Sequence, residues 1–513
     1  MHRNFPPSLR VLAVAGFLTL PLRAEVELFM VWQVVLGGME YEECTGLWPT
    51  GDGGCVVIGG SESGVSGNKS SGNQGSADFW IVRLDGGGTK LWDEAHGGTQ
   101  LEYPNGVLPS ADGGWLVAGQ SASDTGGNKS SPRIGGRDFW LVKTDAEGGK
   151  DWEAAYGGTG SEICWGLAGG PDHYLLPGQS ASGVSGNKSS GNAGRQDFFA
   201  VKVDSGGGRI WDASFGGADF DWCYAATPTS DDGFLLVGES VSEPGEGKTS
   251  PYYGSGEDGD GWVVKIDANG EEQWQQSLGG TEGDYLSLAM QTADGGYLVG
   301  GASASGSSGN KTSGNNGFWD WWLAKLDASG TVLWDKVYGG DQSDYLKGLL
   351  PFANGYLLYG TSWSGATGDK SDPSHGESDY WLVHIDRMGN KLADWSFGGE
   401  EEDYAVEAFQ PSSDGGFLLG GYSESPATGN KTLGTFGSFD YWVVKIAPAP
   451  TLTIARGSPG EVVLSWEPEV PGFGLQESPA LNPPAWTDAE GGSSNPAIVP
   501  VTTAHRFFRL YKP

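Results

Sequence analysis

Pairs of adjacent glycines punctuate the chain at Gly37-Gly38, Gly97-Gly98, Gly157-Gly158, Gly216-Gly217, Gly279-Gly280, Gly339-Gly340 and Gly398-Gly399, spaced 59 to 63 residues apart. A fixed period of that size signals a repeat architecture, in which each copy buries its apolar face only against its neighbours. Residues 320–380 show the order within one period. Asp320 to Asp327 is an apolar run, Ala328-Ser329-Gly330 a turn, and Thr331 to Tyr338 a second run that ends at a glycine pair. Asp344 to Phe352 follows, then a turn at Ala353-Asn354-Gly355, the run Tyr356 to Gly360 and a long loop rich in Ser and Gly. Short apolar or alternating runs bounded by Gly, Asp and Asn are strand and hairpin signals, and no stripe of helical period occurs. These runs are strands a, b, c and d in that order, and each repeat is expected to form one antiparallel sheet.

Four-stranded sheets repeated radially are propeller blades, and a ring of them leaves only short, protected edges. The expected fold class is therefore all-β, a seven-bladed β-propeller with four antiparallel strands per blade, followed by a small β-sandwich-like domain. The array has a phase that closes it. It begins on a strand b, Trp32 to Leu36, with no strand a before it, and ends on a strand a, Asp440 to Ile446, with no strand b after it. Each end lacks what the other has, so Tyr441 to Ile446 is expected to complete the blade begun by Trp32. The domain boundaries read as 1–24 for a signal peptide, 25–447 for the propeller and 448–513 for the C-terminal β domain, with Ala447-Pro448-Ala449-Pro450 as the linker.

The first two dozen residues carry Arg3 and Arg10, an apolar run from Val11 to Leu22, and the small residue Ala24 before the acidic Glu25. That is a charged, apolar, small-residue order too short to remain as a spanning helix, and it predicts export with cleavage after Ala24. The expected destination is outside the cell, at its surface or in a periplasm, with no membrane span in the mature chain. Lys plus Arg number 30 against 65 Asp plus Glu, a formal net charge of −35. A surface that acidic repels phosphate backbones, which argues against nucleic acid and for cations or basic partners. The chain holds 89 Gly with 22 Trp, 20 Phe and 18 Tyr, and that aromatic richness marks a folded β protein rather than a disordered glycine-rich one. Cys44, Cys164 and Cys223 occupy equivalent positions in different repeats and Cys55 is out of register with Cys44, so no disulfide is expected.

The Asp-[Phe/Tyr]-Trp-[Leu/Val]-Val-Lys-[Leu/Ile]-Asp strands, the Gly-Gly pairs and the Asp-Gly-Gly-[Tyr/Phe] turns resemble those of large exported bacterial propeller-like repeat proteins, over residues 30 to 447. Residues 451 to 513, with Val463-Leu464-Ser465-Trp466, Leu475-Gln476 and Phe507-Phe508-Arg509-Leu510, more distantly resemble small immunoglobulin-like or fibronectin-like C-terminal domains of exported proteins. The resemblance implies a propeller and brings no established activity or site.

In such a fold the b-to-c and d-to-a loops share one face. The repeat delivers three charged rings to it. An acid stands four residues after each glycine pair (Glu42, Glu102, Glu162, Asp221, Asp284, Asp344, Asp403), and an Asp opens each strand a (Asp78, Asp138, Asp197, Asp260, Asp320, Asp379, Asp440). The third ring is Lys69, Lys129, Lys188, Lys248, Lys311, Lys370 and Lys431. Read functionally, the acids could hold loop-bound Ca²⁺, because hard cations want clustered oxygens. Read structurally, they cap turns through backbone N–H groups while each Lys pairs with an acid of the same or the next blade. The structural reading is preferred, because blade packing demands a feature in every copy. Trp92, Trp152, Trp211, Trp274 and Trp334 read as inter-blade packing, and five Asn-Lys-Ser/Thr sequons (Asn68, Asn128, Asn187, Asn310, Asn430) follow from the repeat.

No nucleophile and base, no singled-out carboxylate pair and no His-based metal spacing stands apart from the repeat, so neither catalytic residues nor a metal centre nor a cofactor is expected. Candidate ligand-binding residues are those that break the consensus on the loop face: Arg133 and Arg137, Tyr252 and Tyr253, Trp363 and His375. Aromatics there would stack on sugar rings and Arg would bind carboxylates. The expected function is a noncatalytic secreted or cell-surface binding or scaffold protein, monomeric, whose loop face takes a glycan or protein ligand. The alternative is an extracellular polysaccharide hydrolase or lyase on the same scaffold.

Overall fold

A computed structural model describes residues 27–511 apart from 171, 257, 459–460, 468–472, 481–483, 490 and 501–505. The expected signal peptide lies outside the described residues. Those residues form strands and no helix, so none is long and apolar enough to cross a membrane.

Among the described residues, seven sheets carry the repeat. A representative one runs Asp284–Gln291, Tyr297–Ser303, Asp320–Leu326, Val332–Tyr338, each strand antiparallel to the next. The order within a sheet is therefore c-d-a-b, which corrects the expected grouping. Strand a pairs with the strand d that precedes it across the long loop, and the chain leaves one sheet for the next at the glycine pair. The closing sheet runs Leu28–Leu36, Asp440–Pro448, Phe417–Ser423, Asp403–Pro411, so the first strand b does pair with the last strand a. Gln33 fastens that seam: its side chain accepts from Thr432 N at 3.1 Å and Trp442 Nε1 at 3.2 Å, and donates to Asn430 O at 3.1 Å. Such a seal joins the two ends of the repeat array in one sheet.

The core lies between successive sheets. Strand a is buried along its whole length because neighbouring sheets cover both of its faces, which is why it reads as a continuous apolar run. Its two leading aromatics form a belt: Phe79 meets Trp140 at 4.7 Å, Phe139 meets Phe199 at 5.1 Å, Trp321 meets Trp381 at 4.4 Å and Tyr380 meets Trp442 at 4.7 Å. Tyr441 then meets Trp80 at 4.8 Å, joining the last period to the first. The outer tryptophans also bridge sheets. A Cβ placed on Gly330, whose φ is +85°, would lie 2.7 Å from the Trp274 ring of the preceding sheet, so that turn needs glycine twice over. Cys44, Cys164 and Cys223 are buried free thiols that point into these cores from strand c, and Cys55 is buried as well.

The chain divides into two compact units. One comprises residues 33–410 and 418–444, and the other residues 1–32, 411–417 and 445–513. In the second unit, Thr451–Arg456, Glu461–Glu467 and Ala497–Pro500 form one three-stranded sheet, and Thr487–Asp488, Gly474–Ser478 and Phe507–Tyr511 form another. Leu464, Trp466, Leu475, Val499 and Phe508 make its core. Ala449 N donates to Glu27 O at 2.9 Å, and Phe29 packs edge-on against Phe473, so this unit also takes in the start of the described chain.

The first glycine of each pair has a steric reason. A Cβ on Gly97 would lie 2.0 Å from Asp78 Oδ1, whereas one on Gly72 would meet nothing within 4 Å. Gly97→Ala is expected to cost about 1–3 kcal/mol by overpacking, read by chemical denaturation, with Gly72→Ala near neutral. Equal effects from the two would remove the packing explanation.

Candidate functional site

The charged rings are fastenings. Strand c opens at the crossing between sheets, where Glu102 N donates to Ala77 O of the previous sheet at 2.9 Å. Its carboxylate accepts from Gly98 N at 2.6 Å, Ser121 Oγ at 2.8 Å and Ser123 N at 3.1 Å. Asp284 repeats the arrangement with Gly280 N and Ser305 Oγ, and Asp403 with Gly399 N and Ser425 Oγ. The Asp opening strand a caps its own loop, as Asp138 does by accepting from Ile134 N at 2.7 Å and Asp197 from Ala193 N at 2.6 Å. Among the described residues, no group of three or more His, Cys, Asp or Glu is placed to hold a metal ion.

The lysines differ from expectation. Lys311 Nζ donates to Ser305 O at 2.7 Å, Gly314 O at 2.9 Å and Ser313 O at 3.0 Å, and lies 5.9 Å over the Trp322 ring. Lys69 lies over Trp80 and Lys370 over Trp381 in the same way. Loop carbonyls and an aromatic face cage the ammonium, and the acids act on it from farther off. The asparagine that stands beside five of these lysines is also occupied. Asn128 Oδ1 accepts from Gly97 N at 2.9 Å and Nδ2 donates to Ala95 O at 2.8 Å, and Asn310 clasps Gly279 and Ser277 likewise. A glycan on such an amide would break the joint between two sheets.

One region departs from the repeat. A cavity of about 690 Å³ lies within the ring, walled by the strands c. All the residues three positions after the strand-c acid line it: Thr45, Asn105, Trp165 and Tyr224 on one side, Ser287, Lys347 and Val406 on the other. In five of these strands the pairing with strand d skips that position, as between Cys223 and Ala225 or Leu346 and Gly348. A β-bulge of this kind turns the extra side chain away from the sheet, here toward the axis. The residue after the acid faces the same space in Glu43, Tyr285, Tyr345 and Tyr404. Trp319, Trp363 and Tyr422 add to the wall from the ends of strands that carry the long loops, which puts the cavity's mouth on the loop face. A second hollow of about 270 Å³ shares Asn105, Trp165, Tyr224, Ser287, Lys347 and Glu407 with the first and continues along the ring's interior.

The wall is aromatic along one arc. From Trp165 through Tyr224, Tyr285, Trp319, Tyr345, Trp363 and Tyr404 to Tyr422, successive ring centroids lie 5.1 to 6.3 Å apart. Lys347 Nζ meets Glu407 Oε1 at 3.0 Å. Burial works against the charge on Lys347, but Glu407, with Tyr285 and Glu43 adding to it, outweighs burial and raises the pKa of the ammonium. Glu43 accepts from Tyr103 Oη at 2.8 Å and Tyr41 Oη at 3.3 Å, and burial raises its pKa. Glu239 accepts from Tyr224 Oη at 3.1 Å, and burial raises it to about 7.

Of the residues singled out in the sequence, Trp363 lines the cavity. Arg133 and Arg137 are exposed in their loop, Arg133 Nη1 reaching Ala122 O at 3.3 Å. Tyr252 Oη ties down its own loop through Asp258 O at 2.8 Å. Tyr253 and His375 both donate their backbone N–H to the Asp of strand a and pack against Gly309 and Gly429 of the next sheet. His375 Nδ1 also lies 3.1 Å from Asp379 Oδ2, a hydrogen bond that raises the imidazole pKa. Sequence reasoning missed the arc because it looked in the loops. The signal was variation at one strand-c position, Thr, Asn, Trp, Tyr, Ser, Lys and Val in order, inside otherwise uniform repeats.

The sheets, their radial belt and the axial cavity define a β-propeller. No protein-family profile matches the chain. No curated protein matches it in sequence. Among solved structures, it is similar to the Neurospora crassa Pan2 WD40 domain at 8% identity and TM-score 0.40, over 82% of this chain and 95% of that one. Sqt1 from Chaetomium thermophilum gives 11% identity and TM-score 0.40, over 86% and 97%. The BBS1N chain solved in complex with ARL6DN gives 9% and 0.41, over 82% and 97%.

The carboxyl pairs carry a pH dependence. Burial, with the facing carboxylate adding to it, raises Asp78 and Asp260 to about 7 and Asp138, Asp197, Asp344, Asp403 and Asp440 to about 6. Asp78 Oδ1, Asp197 Oδ1 and Asp260 Oδ1 are buried without a hydrogen-bond partner, as fits a carboxyl that keeps its proton against a neighbouring carboxylate. Folded values above the unfolded value of about 4 mean that this contribution to stability is complete below about pH 4. It is lost as pH rises through 6 to 7. Glu153 runs the other way: hydrogen bonds from Lys150 and Ser131 outweigh its burial and lower it to about 2, so its contribution fades only as pH falls below about 4. Thermal midpoints are expected to be several degrees higher at pH 5 than at pH 8, and Asp78→Asn should narrow the difference. A flat profile across that interval would mean that the pairs do not hold protons.

Proposed function

We propose that the chain is a seven-bladed propeller that acts as a noncatalytic secreted or cell-surface binding protein, and that its glycan or protein ligand seats in the axial cavity at the loop face. One observation carries this reading: the cavity wall is where the repeats stop resembling one another. Packing positions recur in every copy because the ring requires them, whereas Trp165, Lys347, Trp363 and Tyr422 have no counterpart that blade packing would demand. A concave, largely aromatic space of several hundred Å³ with a few convergent polar groups has the properties of a ligand site. The export expected from the N-terminal sequence would bring that site to where glycans and foreign proteins are met.

A second reading, a polysaccharide hydrolase or lyase, draws on Glu239. A carboxyl raised to about 7 beside aromatic rings has the protonation of a general acid at neutral pH. Turnover of a polysaccharide by the purified protein, abolished by Glu239→Gln, would establish it over the binding reading.

The binding reading is tested by screening the mature chain on glycan and protein arrays and titrating the strongest hit by calorimetry. Trp363→Ala and Tyr345→Ala are expected to weaken that hit tenfold or more, about 1.4 kcal/mol, while Arg133→Ala and Tyr252→Ala leave it within about twofold. The reverse pattern would move the site to the loops. No hit on either array would end the proposal.

A further inference from the structure

Resting on the cavity being the binding site, we infer that what it takes is an organic ammonium group, primary or quaternary, held against the aromatic arc and faced by Glu239 and Glu43. The charges within the wall do not balance. Glu43, Glu239 and Glu407 line it with a single lysine, Lys347, and that lysine bonds Glu407 at 3.0 Å. The remaining two carboxylates are met at hydrogen-bond distance by phenol hydroxyls, Tyr224 on Glu239 and Tyr103 and Tyr41 on Glu43. A phenol donates one hydrogen bond and brings no positive charge, so each of these half-buried carboxyl groups has no counter-ion in contact among the described residues. A bound cation supplies that charge.

The rings favour the same ligand. Successive aromatics meet at mixed angles, edge-on for Trp165 with Tyr224, for Tyr224 with Tyr285 and for Tyr345 with Trp363. Walls set at such angles offer π faces from several directions, which is how a compact cation is enclosed, whereas a flat sugar ring needs one open platform. An anionic ligand meets the opposite of what it needs, because the only ammonium in the wall is already paired. The chain's overall excess of acidic residues adds long-range attraction for the same sign of ligand.

A bound cation competes with the proton on a wall carboxyl. Glu239 is faced by Tyr224 and, from the neighbouring strands and loop, by Asp258, Asp260 and Asp284, and it sits against Gly259. Glu43 is faced by Tyr41 and Tyr103 and, across the cavity, by Lys347 and Glu407. These surroundings favour protonation of Glu239 in the empty cavity and its ionisation when a cation enters. Affinity should therefore fall as the solution is acidified through neutrality.

The experiment is calorimetric titration of the intact mature protein with choline, and in parallel with 3,3-dimethylbutan-1-ol, which has the same shape without the charge. An N-acetyl-lysine methylamide arm separates a small free ammonium from a basic side chain presented by a protein. Choline or the lysine compound is expected to bind one per chain with a dissociation constant below about 1 mM, and at least tenfold more tightly than the neutral isostere. Going from pH 8 to pH 5.5 should weaken the cation and leave the isostere unchanged. Glu239→Gln should remove the cation's advantage, and Trp363→Leu should weaken cation and isostere alike, each checked for an unaltered thermal midpoint. Equal binding of choline and its isostere, cation binding indifferent to Glu239→Gln, or no cation binding would overturn the inference. In that last case, a neutral oligosaccharide whose binding is lost in Trp363→Leu would leave the cavity standing as the site while sinking the ammonium. Loss of every ligand would sink both.

Discussion

The ring depends on the joint where one sheet hands over to the next. Two buried carboxyls, one opening strand a and one opening the following strand c, close on the first glycine of the pair from opposite sides, at Gly97 as at Gly339 and Gly398. The acid of strand c takes the backbone N–H of the second glycine and a serine hydroxyl, and at five joints an asparagine of the next loop takes the N–H of the first. Nothing larger than glycine fits there. Each joint fixes the angle between neighbouring sheets, and the aromatic belt on strand a fills the wedge that angle leaves. A buried, proton-holding pair is weak as a source of net stability and strong as a constraint on geometry, since a displaced partner would strand a desolvated carboxylate.

Because the joint recurs, the interior inherits a regular frame on which irregular groups can be hung. Bulges in five of the strands c release one side chain each from the packing that governs its neighbours and aim it at the axis. That freedom explains how threonine, asparagine, tyrosine, serine and lysine come to occupy equivalent positions. The arc of rings draws Trp165 and Tyr224 from that position, Tyr285, Tyr345 and Tyr404 from the residue after the acid, and Trp319, Trp363 and Tyr422 from the ends of other strands.

Much of the fold was legible in the sequence. The glycine period, the apolar runs and the missing strand at each end sufficed for a closed ring of antiparallel sheets, because strand periodicity and turn residues are local signals. The grouping into sheets was not legible: a-b-c-d and c-d-a-b differ only in which loop spans a blade, and a loop's sequence does not state whether its flanking strands pair. The role of the lysines was misread for a similar reason. Spacing in Lys311 and Asp320 suggests an ion pair, yet the ammonium reaches three carbonyls and the Trp322 face first.

The candidate site divides along the same line. By itself the sequence determined the number of repeats, the acidic character of the chain, the positions that every copy must keep and, through Trp363, one residue of the wall. Only the tertiary structure decided which departures from consensus converge. Trp165, Lys347 and Tyr422 come from three different repeats, and Tyr253 and His375, equally conspicuous along the chain, turn out to seat neighbouring sheets. The physical reason is that repetition determines contacts between adjacent copies, which sequence spacing records, while the axis brings together all copies at once through side-chain directions set by bulges and ring closure.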